Sequence, residues 1–134
     1  IEKYYDACNQ RDEALMISTF TDDVVHYFVD QAPVKSAIGL ANYWCKVAQK
    51  TEATWSLDHA LVNEPEAVIE WSIRWKPSTE LSHEFLRGTE WFIFVGNKIA
   101  EIRSYHCNFY LNDRRNCQLR DFDYRGRKYT HEES

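Results

Sequence analysis

The sequence predicts an α+β fold in which three N-terminal helices precede a curled antiparallel sheet. Two patterns predict this class. Between Ile1 and Val47, apolar residues recur mainly at spacings of three and four, as on amphipathic helices, and from Trp55 onward they alternate with polar residues, as in strands. The 134 residues suit one domain, and five Trp, eight Tyr and seven Phe residues provide material for a core.

The first half of the chain is predicted to form two helices, a strand and a third helix. The segment IEKYYDACNQ is the first helix, and Asp12 is a suitable N-cap for a short second one. The segment VVHYFV then alternates as a strand, with Val24, His26 and Phe28 on one face. The third helix begins near Gly39. The apolar stripes of the helices are Ile1, Tyr4, Tyr5 and Cys8; Leu15, Met16 and Phe20; and Leu40, Tyr43, Trp44 and Val47.

The second half of the chain is predicted to consist of strands. The alternation runs through residues 55–61, 68–76 and 81–95, and turn residues separate these runs at 63–65 and 77–79. A last strand follows the turn at Gly96. The residues predicted to share the apolar face of the middle strand are Ala67, Ile69, Trp71, Ile73 and Trp75.

Glu90 is an acidic residue beside the apolar run WFIFV, and strand pairing decides what it faces. We predict that Trp71 lies opposite Leu86 and that Ala67 lies opposite Glu90. Directly opposite residues share a face, so the carboxyl is expected on the apolar side of the sheet. A slip of one residue would reverse that orientation.

The turn at Gly96 leaves two registers open for Glu90. A two-residue turn at Gly96-Asn97 places the carboxyl opposite Arg103, where a structural ion pair is expected. A three-residue loop, with Asn97 in the left-handed conformation, places it on the interior face instead. The residues that would then accompany it are Ile102, Ser104 and His106.

Composition and charge limit the partners and cofactors. The net charge of −5 argues against nucleic-acid binding by residues 1–110, and residues 111–134 are interpreted as an arm that packs on the domain or on a partner subunit. The four cysteines are scattered and no apolar run is long enough to span a membrane, so a cytoplasmic location is expected. Neither a glycine-rich phosphate loop nor a metal-binding His spacing is present, so no nucleotide cofactor and no metal are expected.

The order of these signals resembles the SnoaL-like branch of the NTF2-like superfamily. The matching segments within residues 1–110 are YYDACNQRDEALMISTFTDDVVHYF, the helix led by Gly39 with Trp44, EAVIEWSIRW, and RGTEWFIFVGNKIAEIRSYH. The resemblance implies a cone-shaped fold, with a bent antiparallel sheet wrapped around the helices, a pocket at the wide end, and a homodimer. It also implies the three-residue loop, because relatives commonly carry Gly where Asn97 stands.

Ketosteroid isomerases share this fold, and their functional groups can be matched to this chain. By that resemblance, Tyr4 corresponds to the Tyr of the first helix and Glu90 to the acid that stays protonated. The position of the catalytic base falls on Phe28, which cannot accept a proton. The match therefore argues against steroid isomerisation by that route, and His26 is a candidate to replace the missing base.

Four residues are the candidates for chemistry. Burial disfavours the charged form of a carboxyl, so Glu90 is expected to act as a general acid or hydrogen-bond donor near neutral pH. His106 suits proton transfer, Tyr4 suits the stabilisation of a developing oxyanion, and His26 suits a base. The structural alternatives are an ion pair for Glu90 and a backbone hydrogen bond for His106. The residues expected to bind substrate are Phe28, Trp44, Trp71, Ile73, Phe92, Ile102 and Ser104.

These candidates predict a cofactor-independent enzyme acting on a small hydrophobic molecule. Proton transfer serves isomerisation, cyclisation, dehydration and hydrolysis, and the residues do not choose among these reactions. The alternative is a non-catalytic module that binds a ligand or mediates dimerisation, because one fold hosts many functions.

Overall fold

The computed structural model describes residues 1–76, 82–106 and 119–128 and confirms the predicted α+β class. Three helices pack against one curved, open sheet of six strands. Among the described residues, no helix is both long and apolar enough to cross a membrane. The elements are α1 (Glu2–Gln10), α2 (Glu13–Ser18), β1 (Phe20–Phe28), β2 (Val34–Lys35), α3 (Ala37–Thr51), β3 (Thr54–Asn63), β4 (Glu66–Trp75), β5 (Glu84–Val95) and β6 (Lys98–Tyr105).

The sheet is mixed rather than wholly antiparallel. Its strand order is β2-β1-β6-β5-β4-β3, and β1 runs parallel to β6 while every other neighbouring pair is antiparallel. The long connection from β1 through α3 and the remaining strands supplies the crossover that a parallel pair requires. The first strand also begins earlier than predicted, because Phe20 belongs to β1 and not to α2.

The second helix begins where Asp12 predicts, whereas the third begins at Ala37, two residues before the predicted Gly39, with Ser36 as its N-cap. The Asp12 side chain accepts a hydrogen bond from the Leu15 backbone N–H at 3.0 Å, which satisfies a donor at the start of α2. Tyr4, Tyr5 and Cys8 of α1 are buried against the face of the sheet that carries the apolar residues of β4. We call this face the inner face. Burial of these aromatic side chains is the main source of stability for the packing of α1 on the sheet.

The pairing of β4 with β5 differs from the prediction by two residues. Trp71 lies opposite Gly88, and Ile69 lies opposite Glu90. The side chains of a strand point alternately to its two faces, so a shift of two residues leaves every side chain on its predicted face. Glu90 therefore points to the inner face, and its exposure is only 5%.

The pairing of β5 with β6 follows neither of the two predicted registers. The turn has two residues, and Gly96, not Asn97, has a positive φ of 61°. A β-bulge at Ala100 then shifts the ladder, so that Glu90 lies opposite Ser104 rather than Arg103 or Ile102. Without the bulge, Ile102 would turn to the outer face. The bulge thus keeps the Ile102 side chain on the inner face and places Ser104 on that face, opposite Glu90.

Residues 119–128 pack on the outer face of the sheet, against β1. Phe122 is buried with Leu119 against Val29, and the Arg120 backbone N–H donates to the Phe28 carbonyl at 2.8 Å. Arg127 donates two hydrogen bonds to the Glu101 carboxylate, at 3.1 and 2.7 Å. The predicted domain boundary at residue 110 lies outside the described residues.

Candidate functional site

A cavity of about 380 Å³ opens between the helices and the inner face of the sheet. Its volume is within the range of pockets that hold small organic molecules. The wall comes from α1, α3 and strands β1, β3, β4, β5 and β6, together with the loop after β1. The lining is mostly aromatic near α3, where Trp44 contacts both Tyr43 and Trp55 edge to face.

The structure brings most of the predicted site residues to this cavity. Glu90, His106 and Tyr4 line it, as do five of the predicted substrate-binding residues. Phe92 and Ile102, also predicted to bind substrate, do not line it: both have 0% exposure and lie in the core behind the wall. His26 is likewise fully buried and lies behind Glu90. The predicted binding residues on the wall are Phe28, Trp44, Trp71, Ile73 and Ser104.

The Glu90 carboxyl is held by one residue from α1 and one from β1. The Tyr5 hydroxyl donates a hydrogen bond to Oε1 at 2.6 Å, and the Nε2 atom of His26 lies 3.2 Å from Oε2. Arg103, which the two-residue turn was expected to place opposite Glu90, pairs with Glu101 instead, and Arg87 pairs with Asp58. The carboxyl is therefore bound to a tyrosine and a histidine at the wall of the cavity.

The second nitrogen of His26 constrains where its protons lie. Nδ1 is 3.3 Å from the Tyr27 backbone carbonyl, which can only accept a hydrogen bond, so a hydrogen bond between them needs a proton on this nitrogen. The contact between Nε2 and the Glu90 carboxyl likewise needs a proton on one of its two atoms. The contact is hidden from water on the histidine side.

The packing around His26 holds its ring in this orientation. The ring stacks on Phe28 with 4.2 Å between centroids and meets Trp44 edge to face at 5.3 Å. Phe28 occupies the position where the resemblance expected a base, so the imidazole lies directly beside that position. His106, at the end of β6, lies on another part of the wall with its ring 5.1 Å from that of Trp71.

The two tyrosines of α1 are held in their neutral forms. Burial raises the pKa of the Tyr5 hydroxyl well above its usual value, and the nearby Glu90 carboxyl raises it further. Burial also raises the pKa of Tyr4. Both groups consequently remain protonated and act as hydrogen-bond donors rather than as bases.

The role of Tyr5 and the contribution of one wall of the cavity were not predicted from the sequence. Tyr4 was matched to the functional tyrosine, yet Tyr5 is the residue bonded to Glu90. Adjacent residues on one broad helical stripe cannot be ranked by periodicity alone. Lys46 and Lys50 of α3 also line the cavity. Lys46 is three residues after Tyr43, and Lys50 is four residues after Lys46. These helical spacings indicate that both lysines share a face of α3 with Tyr43.

A metal site is not formed by the part of the chain that the structure describes. In that part, no three His, Cys, Asp or Glu side chains lie close enough to hold one ion.

Comparison with known proteins identifies a family and several similar folds. The sequence profile of a family described as SnoaL-like domain matches residues 1–102. A search of curated protein sequences finds no significant match. A crystal structure of a protein of unknown function with a cystatin-like fold, from Methylobium petroleophilum PM1, is 31% identical with a TM-score of 0.83, covering 98% of this chain and 89% of that one.

Two more distant structures share the fold. A candidate polyketide cyclase from Pseudomonas putida KT2440 is 16% identical with a TM-score of 0.65, covering 82% of this chain and 91% of its own. TerC, crystallised with polyporic acid, is 10% identical with a TM-score of 0.70, covering 81% and 89%. At these identities the likeness concerns the fold alone.

Proposed function

Because this chain belongs to the SnoaL-like domain family, we propose that it is an enzyme that catalyses cofactor-independent proton transfer. Its substrate is a small, largely apolar molecule with a carbonyl group, bound in the cavity of about 380 Å³. The reaction class is isomerisation, cyclisation, dehydration or hydrolysis, all of which begin or end with a proton moved at a defined atom.

The observation that supports this proposal is the environment of Glu90. This carboxyl lies on the cavity wall and is bonded to a neutral tyrosine and a buried histidine rather than to an arginine or a lysine. Buried polar groups of this kind cost stability unless they are fully hydrogen-bonded. Placing such a group at the surface of a ligand-sized cavity is typical of a catalytic acid or base.

The proposed mechanism gives each group one role. Glu90 removes a proton from the carbon next to the substrate carbonyl, and the electrons of the broken C–H bond move to the carbonyl oxygen. The Tyr4 hydroxyl, which lines the cavity and stays protonated, donates a hydrogen bond to that oxygen. His26 acts behind Glu90 as a positioning residue that orients the carboxyl.

Charge balance favours this sequence of events. The pair of His26 and Glu90 gains one positive charge when it accepts the proton. At the same moment the substrate gains one negative charge. Opposite charges that appear together in a poorly solvated cavity stabilise each other more than they would in water.

Hydrogen exchange at carbon tests the proposal directly. We expect the protein to accelerate deuterium incorporation next to the carbonyl of at least one of 1-indanone, 1-tetralone and flavanone in D₂O, followed by proton NMR. Glu90→Gln should reduce the accelerated rate by a factor of about 100 or more, the usual contribution of a general acid or base. The amide can retain the bonds to both Tyr5 and His26, so the variant is expected to remain folded.

The matched control is Glu70→Gln, which makes the same chemical change on an exposed side chain of β4. It should leave the exchange rate unchanged. Equal rates for Glu90→Gln and the parent protein would overturn the catalytic role. Binding of the three ketones without any accelerated exchange would support the non-catalytic alternative instead.

A further inference from the structure

Two lysines on the cavity wall have no acidic partner among the described residues. Lys46 and Lys50 lie one turn apart on α3, and both line the cavity. Three arginines of the described chain are paired with carboxylates: Arg87 with Asp58, and Arg103 and Arg127 with Glu101. The lysine pair is therefore a local concentration of unneutralised positive charge in a protein whose net charge is −5.

The remaining charges on the wall do not cancel this pair. Asp30 is the one carboxylate there besides Glu90, and its charge acts on the Tyr43 hydroxyl. Glu90 is engaged with Tyr5 and His26. Within the described residues, the two lysines without an acidic partner thus form a positive part of the wall, which favours an anionic group there over a neutral or cationic one.

The interior of the cavity determines which chemical groups the rest of a bound ligand can have. Aromatic rings from α3 and the inner face of the sheet form a wall suited to a flat apolar body.

We propose that the cavity binds molecules that combine a flat aromatic body with a carboxylate, the carboxylate being held by Lys46 and Lys50. The aromatic body then lies between α3 and the sheet, with its reacting carbon towards Glu90. This inference deepens the proposed function, on which it rests for the choice of this cavity as the substrate site. It specifies that the substrate carries an acid group. The prediction from the sequence was only that the substrate is small and hydrophobic.

A pair of isosteric ligands tests the proposal. Binding of 2-naphthoate and of its neutral analogue 2-acetonaphthone is measured by isothermal titration calorimetry at low and high salt. We expect 2-naphthoate to bind about tenfold more tightly at low salt, and this preference should weaken as salt screens the lysines. The double variant Lys46→Met/Lys50→Met should lose the preference while its affinity for the neutral ketone stays the same.

The control is Lys3→Met/Lys98→Met, which removes the same total charge from exposed positions outside this cavity. It should keep the preference for the carboxylate. Equal affinity of the parent protein for the two ligands would overturn the proposal, as would the absence of binding by either ligand at millimolar concentration. An equal loss of affinity for both ligands in the Lys46/Lys50 variant would also overturn the proposal. That result would mean that the aliphatic part of the lysine side chains, and not their charge, contributes to binding.

This test separates the two proposals. The calorimetric preference depends on charge at α3 and does not require turnover, whereas carbon exchange depends on Glu90. If carbon exchange fails while the carboxylate preference holds, the site binds acids without the proposed chemistry. If exchange holds while the preference is missing, the enzyme acts on neutral substrates.

Discussion

At the scale of single residues, the properties of Glu90 come from neighbours that are far away in sequence. Tyr5 is 85 positions from it and His26 is 64 positions away, yet both contact its carboxyl. These contacts replace the arginine pairing that was the structural alternative. A carboxyl bonded to a phenol and an imidazole can exchange a proton, whereas one paired with arginine is held in its charged form.

The Tyr5 hydroxyl should contribute measurably to stability. Tyr5→Phe removes the 2.6 Å hydrogen bond and leaves Oε1 of Glu90 without this donor. We expect the free energy of unfolding, measured by urea denaturation, to fall by about 1–3 kcal/mol.

Tyr43→Phe provides the comparison for this experiment. It removes a longer hydrogen bond, 3.0 Å, to the neutral side chain of Gln31 in a less buried place. Its cost should be smaller, about 0.5–1 kcal/mol. An equal or larger cost at Tyr43 would contradict the special environment that we assign to the Glu90 carboxyl.

At the scale of elements, hydrophobic pattern outweighs the geometry of the turn. The β5–β6 hairpin has a tight two-residue turn, and continued regular pairing from it would place Glu101 on the inner face and Ile102 outside. The bulge at Ala100 reverses this, so that Ile99 and Ile102 are both buried. The spacing of three between these isoleucines, within one strand, is the sequence signal for the bulge.

The pairing of Gly88 with Trp71 shows how closely β4 and β5 pack at the cavity. A Cβ atom on Gly88 would lie 2.5 Å from Cζ2 of the Trp71 ring. We expect Gly88→Ala to displace the ring and to lower the free energy of unfolding by about 1–3 kcal/mol. A change in the near-ultraviolet circular dichroism of the tryptophans should accompany the loss.

The Trp71→Leu background tests the cause of that cost. With the indole removed, the added methyl group has nothing to displace, and Gly88→Ala should cost little. The same cost in both backgrounds would show that the backbone of β5, and not contact with the ring, requires glycine at this position.

At the scale of the whole molecule, the two faces of the sheet have separate roles. The inner face forms the core and the cavity, while the outer face of β1 and β6 holds residues 119–128. Glu101 links the parts: it accepts hydrogen bonds from Arg103 on its own strand and from Arg127 of the C-terminal segment. Phe122 lies beneath both guanidinium groups, with centroid distances of 4.9 and 4.2 Å.

The stability contributed by this cluster should depend on pH. Burial alone raises the pKa of Glu101, but the hydrogen bonds from Arg127 and Arg103 outweigh it, and the pKa lies below its usual value. A folded-state pKa that is lower than the unfolded one adds stability above about pH 4.3, and this stability is lost as the pH falls through the folded-state pKa.

Glu101→Gln is therefore expected to be less stable than the parent protein at pH 7. In urea denaturation, the difference should narrow as the pH falls below about 4.3 and close at still lower pH. Glu70→Gln, on an exposed side chain, should show no such difference. If the difference in the free energy of unfolding between Glu101→Gln and the parent protein is constant from pH 7 to pH 3, the charge of Glu101 does not contribute to stability as predicted.

Much of the architecture was predictable because it depends on short-range patterns. The stripe of Tyr4, Tyr5 and Cys8, the Asp12 cap and the alternation of β4 are properties of adjacent turns or adjacent pleats. The inner orientation of Glu90 was also predicted, although its partner on β4 was displaced by two residues. Alternation survives such an error, because a strand repeats every two residues.

The sequence by itself thus determined the fold class, the helices and the face on which Glu90 lies. Only the tertiary structure decided that Tyr5 and His26 hold the carboxyl, that Phe92 and Ile102 lie behind the wall, and that Lys46 and Lys50 reach the cavity. The physical reason is the range of the interactions. Local periodicity specifies a direction for each side chain, whereas the packing of α1, α3 and β1 on one curved sheet specifies which of those side chains meet.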